Sequence, residues 1–228
     1  MKPTTLVAEA TAPDGAHFQL YKHDRQFYLN ADGRQVMSTN LIHSERLLAD
    51  LGCRFEPPIR RPRVLIGGLG LGFSLRRALE ITGVGARVEV AELLPDVIRW
   101  NREELDGLND DILADPRTEI FEGDVFTRIS QAAKPENPTY DAILLDVDDG
   151  PTSLIQKGNW QLYDRSGLAT IQAALSALGR RASWAASVEP KLRRSLRKAS
   201  CLTEEVEVAK HPRATREEQR IYVAAMRG

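Results

Sequence analysis

The chain has 228 residues, 42% hydrophobic and 28% charged, with a formal net charge of −1 at neutral pH. That length and mix suffice for one main domain with an ordinary core plus an appendage, and the balanced charge excludes a global field that recruits nucleic acid or an anionic membrane. No apolar stretch is long enough to span a bilayer and the first ten residues, MKPTTLVAEA, lack the apolar core of a signal peptide, so the expected location is cytoplasmic.

Within the first forty residues lie four short runs rich in β-branched and aromatic residues, Thr5 to Ala10, Phe18 to Tyr21, Phe27 to Asn30 and Gln35 to Met37. Pro13-Asp14-Gly15, His23-Asp24-Arg25 and Ala31-Asp32-Gly33 separate them, which predicts a small antiparallel β-ribbon over residues 1–40. A ribbon of this size is not stable alone, so it is expected to pack both on the main domain and on a second copy in a homodimer. Ser38 to Leu51 reads as a helix, with Leu41, Ile42, Leu47, Leu48 and Leu51 apolar and Gly52 as the stop. Pro57, Pro58 and Pro62 stiffen the segment after it, making residues 41–62 a helix and connector ahead of a domain over 63–228.

From Arg63 onward strands and helices alternate. The predicted strands are Val64 to Gly67, Arg87 to Ala91, Thr118 to Glu122, Ala142 to Asp146 and Ala182 to Ser187. The predicted helices are Phe73 to Ile81, Asp96 to Leu105, Val125 to Ala132, Gln161 to Leu178 and Pro190 to Ser200. Mostly apolar strands alternating with helices argue for a parallel sheet covered on both faces. Two further strands, Glu204 to Ala209 and Arg220 to Met226, have no helix between them and predict an antiparallel closing pair. The fold class is therefore α/β: a Rossmann-like methyltransferase sheet of seven strands, the last pair antiparallel, with a small N-terminal ribbon.

Val64 to Gly72 reads VLIGGLGLG, an apolar run that breaks into Gly68, Gly70 and Gly72 before a helical stretch, and Glu92 comes twenty residues later at the next strand end. Glycines let the backbone turn after a strand and approach a ligand, while a carboxylate at the neighbouring strand end accepts the hydroxyls of a ribose. The third glycine comes too early for a dinucleotide fingerprint, so the spacing suits a nucleoside without a pyrophosphate. Two more strands end in acids, Asp124 and Asp146. Asp124 either caps the helix that begins at Val125, accepts from an adenine amino group, or does both. Asp146, Asp148 and Asp149 fall within four residues ahead of Gly150-Pro151. Clustered carboxylates repel unless a cation, a metal or shared protons offset the cost, and a bound polyamine is such a cation; an exposed acidic turn is the alternative.

Cys53 and Cys201, and His17, His23, His43 and His211, are scattered without metal-ligand or redox spacing, so no metal is expected. The basic run from Lys191 to Lys198 reads as the solvated outer face of a packing helix, its Leu192, Leu196 and Ala199 forming the inner stripe.

The glycine loop, the strand end VEVAELLPDVI, the segment FEGDVF and the block YDAILLDVDDGP together resemble the spermidine synthase family of polyamine aminopropyltransferases, in particular its shorter bacterial relatives. The resemblance covers about Gln35 to Asp164 and the flanks only in layout. It implies that Glu92 holds the ribose and Asp124, with Val125 beside it, the adenine edge. It also implies that Asp146 and Asp149 bind and deprotonate the attacking amine, with Asp148, Tyr163 and Glu45 on the substrate side. Tyr163 and Trp160 wall the amine pocket in that reading and are packing residues in the plainer one. Glu45 reaches the cleft from the ribbon side or is a helix-surface glutamate. The family's loop carries an aspartate where Gly70 stands, its acidic segment a proline where Gly150 stands, and a second acid where Leu94 stands.

The expected function is transfer of an aminopropyl group from decarboxylated S-adenosylmethionine to a polyamine such as putrescine, with Asp149 as general base. The alternatives are a methyltransferase that uses S-adenosylmethionine itself on a cationic amine, and a non-catalytic nucleoside-binding dimer.

Overall fold

In the computed structural model, which describes residues 3–147, 151, 157–199, 202–208 and 219–226, every second side chain of two N-terminal strands is buried. These are β2 (His17–His23), which buries Phe18 and Leu20, and β3 (Gln26–Ala31), which buries Phe27, Leu29 and Ala31. With β1 (Thr5–Thr11) and β4 (Arg34–Ser38) they form an antiparallel meander in the order β1-β2-β3-β4. Helix α1 (His43–Gly52) begins five residues later than its predicted start, because Ser38 pairs with Tyr28 in the β3–β4 ladder and stays extended.

The main sheet comprises β5 (Arg63–Gly67), β6 (Arg87–Glu92), β7 (Thr118–Glu122), β8 (Tyr140–Leu145), β9 (Leu175–Ala185), β10 (Leu202–Glu207) and β11 (Arg220–Ala225). Its order is β7-β6-β5-β8-β9-β11-β10, with β5 to β9 parallel and β11 antiparallel to both its neighbours. Val64, Leu65, Ile66, Ile143 and Leu144 are fully buried, as central strands covered on both faces require. The covering helices are α2 (Phe73–Ile81), α3 (Pro95–Glu103), α4 (Asp110–Leu113), α5 (Val125–Ala132), α6 (Arg165–Ala174) and α7 (Pro190–Lys198).

Helices α2 and α5 and strand β7 occupy their predicted ranges. Helix α6 is shorter than its prediction at both ends. A 3-10 turn over Lys157–Leu162 precedes it, the Asp164 carboxylate caps it by accepting from Gly167 N at 2.6 Å, and Leu175 already pairs with Tyr140 in the sheet. The four-residue α4 has no counterpart among the predicted elements, being too short to show a helical period.

The ribbon shares one buried cluster with the main domain: Phe18, Leu20, Phe27 and Leu29 pack with Leu69, Leu71, Phe73, Val97 and Ile98. The meander is thereby seated over the glycine segment, and its need for an apolar partner is met within the chain. Among the described residues no helix is long and apolar enough to cross a membrane.

Candidate functional site

Between the ribbon and the C-terminal ends of β5, β6, β7 and β8 lies a cleft that opens to solvent. Strand order reverses at β5, which pairs with β6 on one side and β8 on the other, and such a switch point is where open α/β sheets take their ligands.

Glu92, Asp124 and Asp146 all line this cleft, as do Gly68, Gly70 and Val125. Glu92 ends β6 and ties the glycine loop to the strand tip, its Oε2 accepting from Leu69 N at 2.8 Å and its Oε1 from Leu94 N at 2.9 Å. Burial pushes its pKa above the ordinary carboxylate value, with the amides of Leu94 and Leu69 foremost in pulling it back. Asp124 caps α5 by accepting from Thr127 N at 2.7 Å, and it also lines the cleft.

The loop itself is clamped from α3 and the segment before α4. Asn101 Nδ2 donates to Gly70 O at 2.8 Å, and the fully buried Asn109 donates to Leu71 O at 3.0 Å and to Asn101 Oδ1 at 2.5 Å. Gly70, at φ +51°, lies beneath Met37 of β4: a Cβ there would run into the Met37 Sδ. Gly72 is not among the residues lining the cleft; it sits at the start of α2, with φ +82°, and a Cβ on it would lie 2.5 Å from Asn109 Nδ2.

Asp146 comes directly after β8 and accepts from Ser74 Oγ at 3.1 Å. Burial raises its carboxyl to about 6. Glu45 of α1 reaches the same cleft with 6% of its surface exposed, its Oε2 accepting from Ser44 Oγ at 2.7 Å. Burial, and after it the charge of Asp146, raises Glu45 to about 7. Asp148 and Asp149, the latter the sequence's candidate base, lie outside the described residues.

Tyr163 is not among the residues lining the cleft but packs against two buried clusters, the Arg181 guanidinium 5.8 Å from its ring centre. Its neighbour Trp160 is 55% exposed. The aromatic residues lining the cleft are Phe18 of β2 and Trp184 of β9, and Ser44 and Asn159 line it as well. Sequence reasoning missed these residues, together with Met37, Asn101 and Asn109. For Trp184 a signal existed, since it lies on a strand neighbouring the switch point.

No protein-family model matches the chain, and no curated protein matches its sequence. Solved structures do. A spermidine synthase in complex with the transition state analogue AdoDATO superposes with a TM-score of 0.72 at 16% identity, covering 96% of this chain and 72% of that one. The spermidine synthase from Thermotoga maritima gives a TM-score of 0.73 at 16% identity with the same coverage. The fold is that of the spermidine synthases. Human methyltransferase-like protein 13 in complex with SAH superposes with a TM-score of 0.57 at 18% identity, over 82% of this chain and 80% of that one. The spermidine synthase fold is thus a Rossmann-like methyltransferase sheet, to which both likenesses extend. Because the ribbon belongs to the 96% covered, it is part of the shared architecture.

Proposed function

We propose that the chain is a transferase that binds an adenosine sulfonium donor and moves its aminopropyl group to a cationic amine. One observation carries this reading: the described residues lining the cleft include four carboxylates, Glu45, Glu92, Asp124 and Asp146, and no lysine, arginine or histidine. Such a cleft attracts cations and repels a carboxylate-bearing tail, which favours the decarboxylated donor over S-adenosylmethionine itself. Support comes from the neighbours, one a spermidine synthase bound to AdoDATO and one a methyltransferase-like protein bound to SAH.

The residues fit such a donor. Glu92 offers a fixed buried acceptor at the strand tip for ribose hydroxyls, Asp124 and Val125 frame a base edge, and Gly68 and Gly70 leave backbone within reach. When bound, the donor supplies a carbon activated by positive sulfur. The chain's part is to align an amine with that carbon and to take the proton an alkylammonium must lose before it attacks. In this reading Asp146 serves the alignment. Asp149 stays the proposed base from its sequence position. A homodimer formed through the ribbon belongs to the proposal as well.

Methyl transfer is the second reading, favoured by Met37 over Gly70, which leaves that point of the loop without a carboxylate for the ammonium of an aminopropyl tail. Mass spectrometry after incubation with 1,4-diaminobutane and either donor separates the two. An adduct carrying an aminopropyl group is expected with the decarboxylated donor, and Asp146→Asn lowers turnover by roughly 100-fold or more while methylthioadenosine still raises the melting temperature. A methylated amine establishes the second reading; no product with either donor, across several amines, rejects both.

A further inference from the structure

Among the described residues the ribbon lines the cleft with Phe18, Leu29, Val36 and Met37, and all four are apolar. Strict alternation along β4 would turn only one of Val36 and Met37 that way. The β3–β4 ladder explains how both reach it: Leu29 pairs with Met37 but Asn30 with Gln35, so Val36 is an extra residue in β4, a β-bulge. Bulges bend the strand that carries them and re-aim its side chains, often beside a binding site.

The re-aimed Met37 lies on the glycine loop. Its Sδ and Cε fill the space that a side chain at residue 70 would take, and the Gly70 carbonyl is already held by Asn101 Nδ2 at 2.8 Å. Leu94 and Val97, both buried, line the cleft from the main domain and belong to the apolar cluster against which Val36 and Met37 pack. The acid next along the loop, Glu92, is bonded to the amide of Leu69 and is the ribose acceptor of the proposed function. A charged or hydroxyl group placed against such a lining loses water without gaining a partner, whereas a methyl group gains by its burial. A thioether side chain, soft and unbranched, shapes itself to such a group.

We propose that Met37 is a specificity-determining residue, forming over Gly70 an apolar seat for an uncharged sulfur substituent, the S-methyl group of the donor. The inference rests on the nucleoside donor of the proposed function and adds to it the place of one substituent on sulfur. No covalent bond changes on seating; the substituent left to face the amine is the one outside the seat.

Isothermal titration of the whole chain with methylthioadenosine and with adenosine, which differ only in the group on the 5′ carbon, reads the seat directly. Methylthioadenosine is expected to bind at least about 10-fold more tightly. Met37→Ala is expected to weaken methylthioadenosine by about 10-fold and adenosine by less than about 2-fold, a coupling between this side chain and this group that a merely structural role would not produce. Met37→Leu, of similar volume, is expected to keep the preference and Met37→Gln to narrow it. Equal affinity of the unaltered chain for the two nucleosides overturns the inference, so the test does not depend on a variant that folds, and so does a Met37→Ala chain that loses both ligands equally. Equal binding removes the seat and leaves the nucleoside site; if neither nucleoside binds, the proposed function is lost along with the seat.

Discussion

At the scale of single residues, the energetics of the site lie in groups held away from their ordinary protonation. Glu45 rises from 4.5 to about 7 and Asp146 from 3.8 to about 6, burial being the first cause in each. A carboxyl whose folded value lies above its unfolded one binds more protons folded than unfolded, so its stabilising contribution is complete below the unfolded value and is lost as pH rises through the folded one. For Glu45 that window runs from 4.5 to about 7. Above it the ligand-free fold carries an ionised buried acid, at a cost on the order of 2 kcal/mol. Glu45→Gln is therefore expected to raise the melting temperature of the free protein by roughly 4–8 °C near pH 8 and to leave it nearly unchanged near pH 5. Scanning calorimetry at the two pH values checks this, and an equal shift at both contradicts it. Asp146 was legible in the sequence because it ends an apolar strand, whereas Glu45 was named only through the family resemblance, because its side chain type and its place on a short helix are those of a surface residue until α1 is laid across the sheet.

Elements add what single residues lack, a rigid frame for the glycine loop. Its carbonyls at Gly70 and Leu71 are held by Asn101 and Asn109, which also bond to each other, while Glu92 holds its amide at Leu69. The glycines were visible because their spacing is local, and α2 and α5 could be placed to the residue because their starts are marked by Gly72 and by the Asp124 cap. The clamp was invisible: Asn101 and Asn109 act on carbonyls 31 and 38 residues earlier, and a lone asparagine carries no period or motif. Gly72→Ala puts a Cβ at φ +82° against the Asn109 amide, so both the strain and the displaced clamp act against the fold. The expected loss is about 1–3 kcal/mol, measured by denaturant unfolding, with weaker methylthioadenosine binding alongside. Unchanged stability and affinity in Gly72→Ala contradict a clamp that depends on that close contact.

At the scale of the whole molecule, the parallel sheet came from the alternation of strands and helices, and the closing antiparallel pair from the missing helix between β10 and β11. The seat of the ribbon did not, since periodicity shows that a face is apolar without showing what covers it. The shared cluster answers that: Leu20, fully buried on β2, belongs to the same core as Ile66 of β5 and Ile98 of α3. Ribbon and sheet should then unfold as one cooperative unit, because neither keeps its apolar face covered without the other. Leu20→Ala removes packing from that common core at a cost of about 2–5 kcal/mol. Far-ultraviolet dichroism, which tracks the sheet and helices, and tryptophan fluorescence, which tracks Trp100 and Trp184 of the main domain, are expected to move to lower temperature together by several degrees. A variant whose ribbon melts in an early dichroism step while the tryptophan transition keeps its midpoint would mean that the cleft's roof is independent of its floor, and that ligand binding has to assemble the site rather than find it formed.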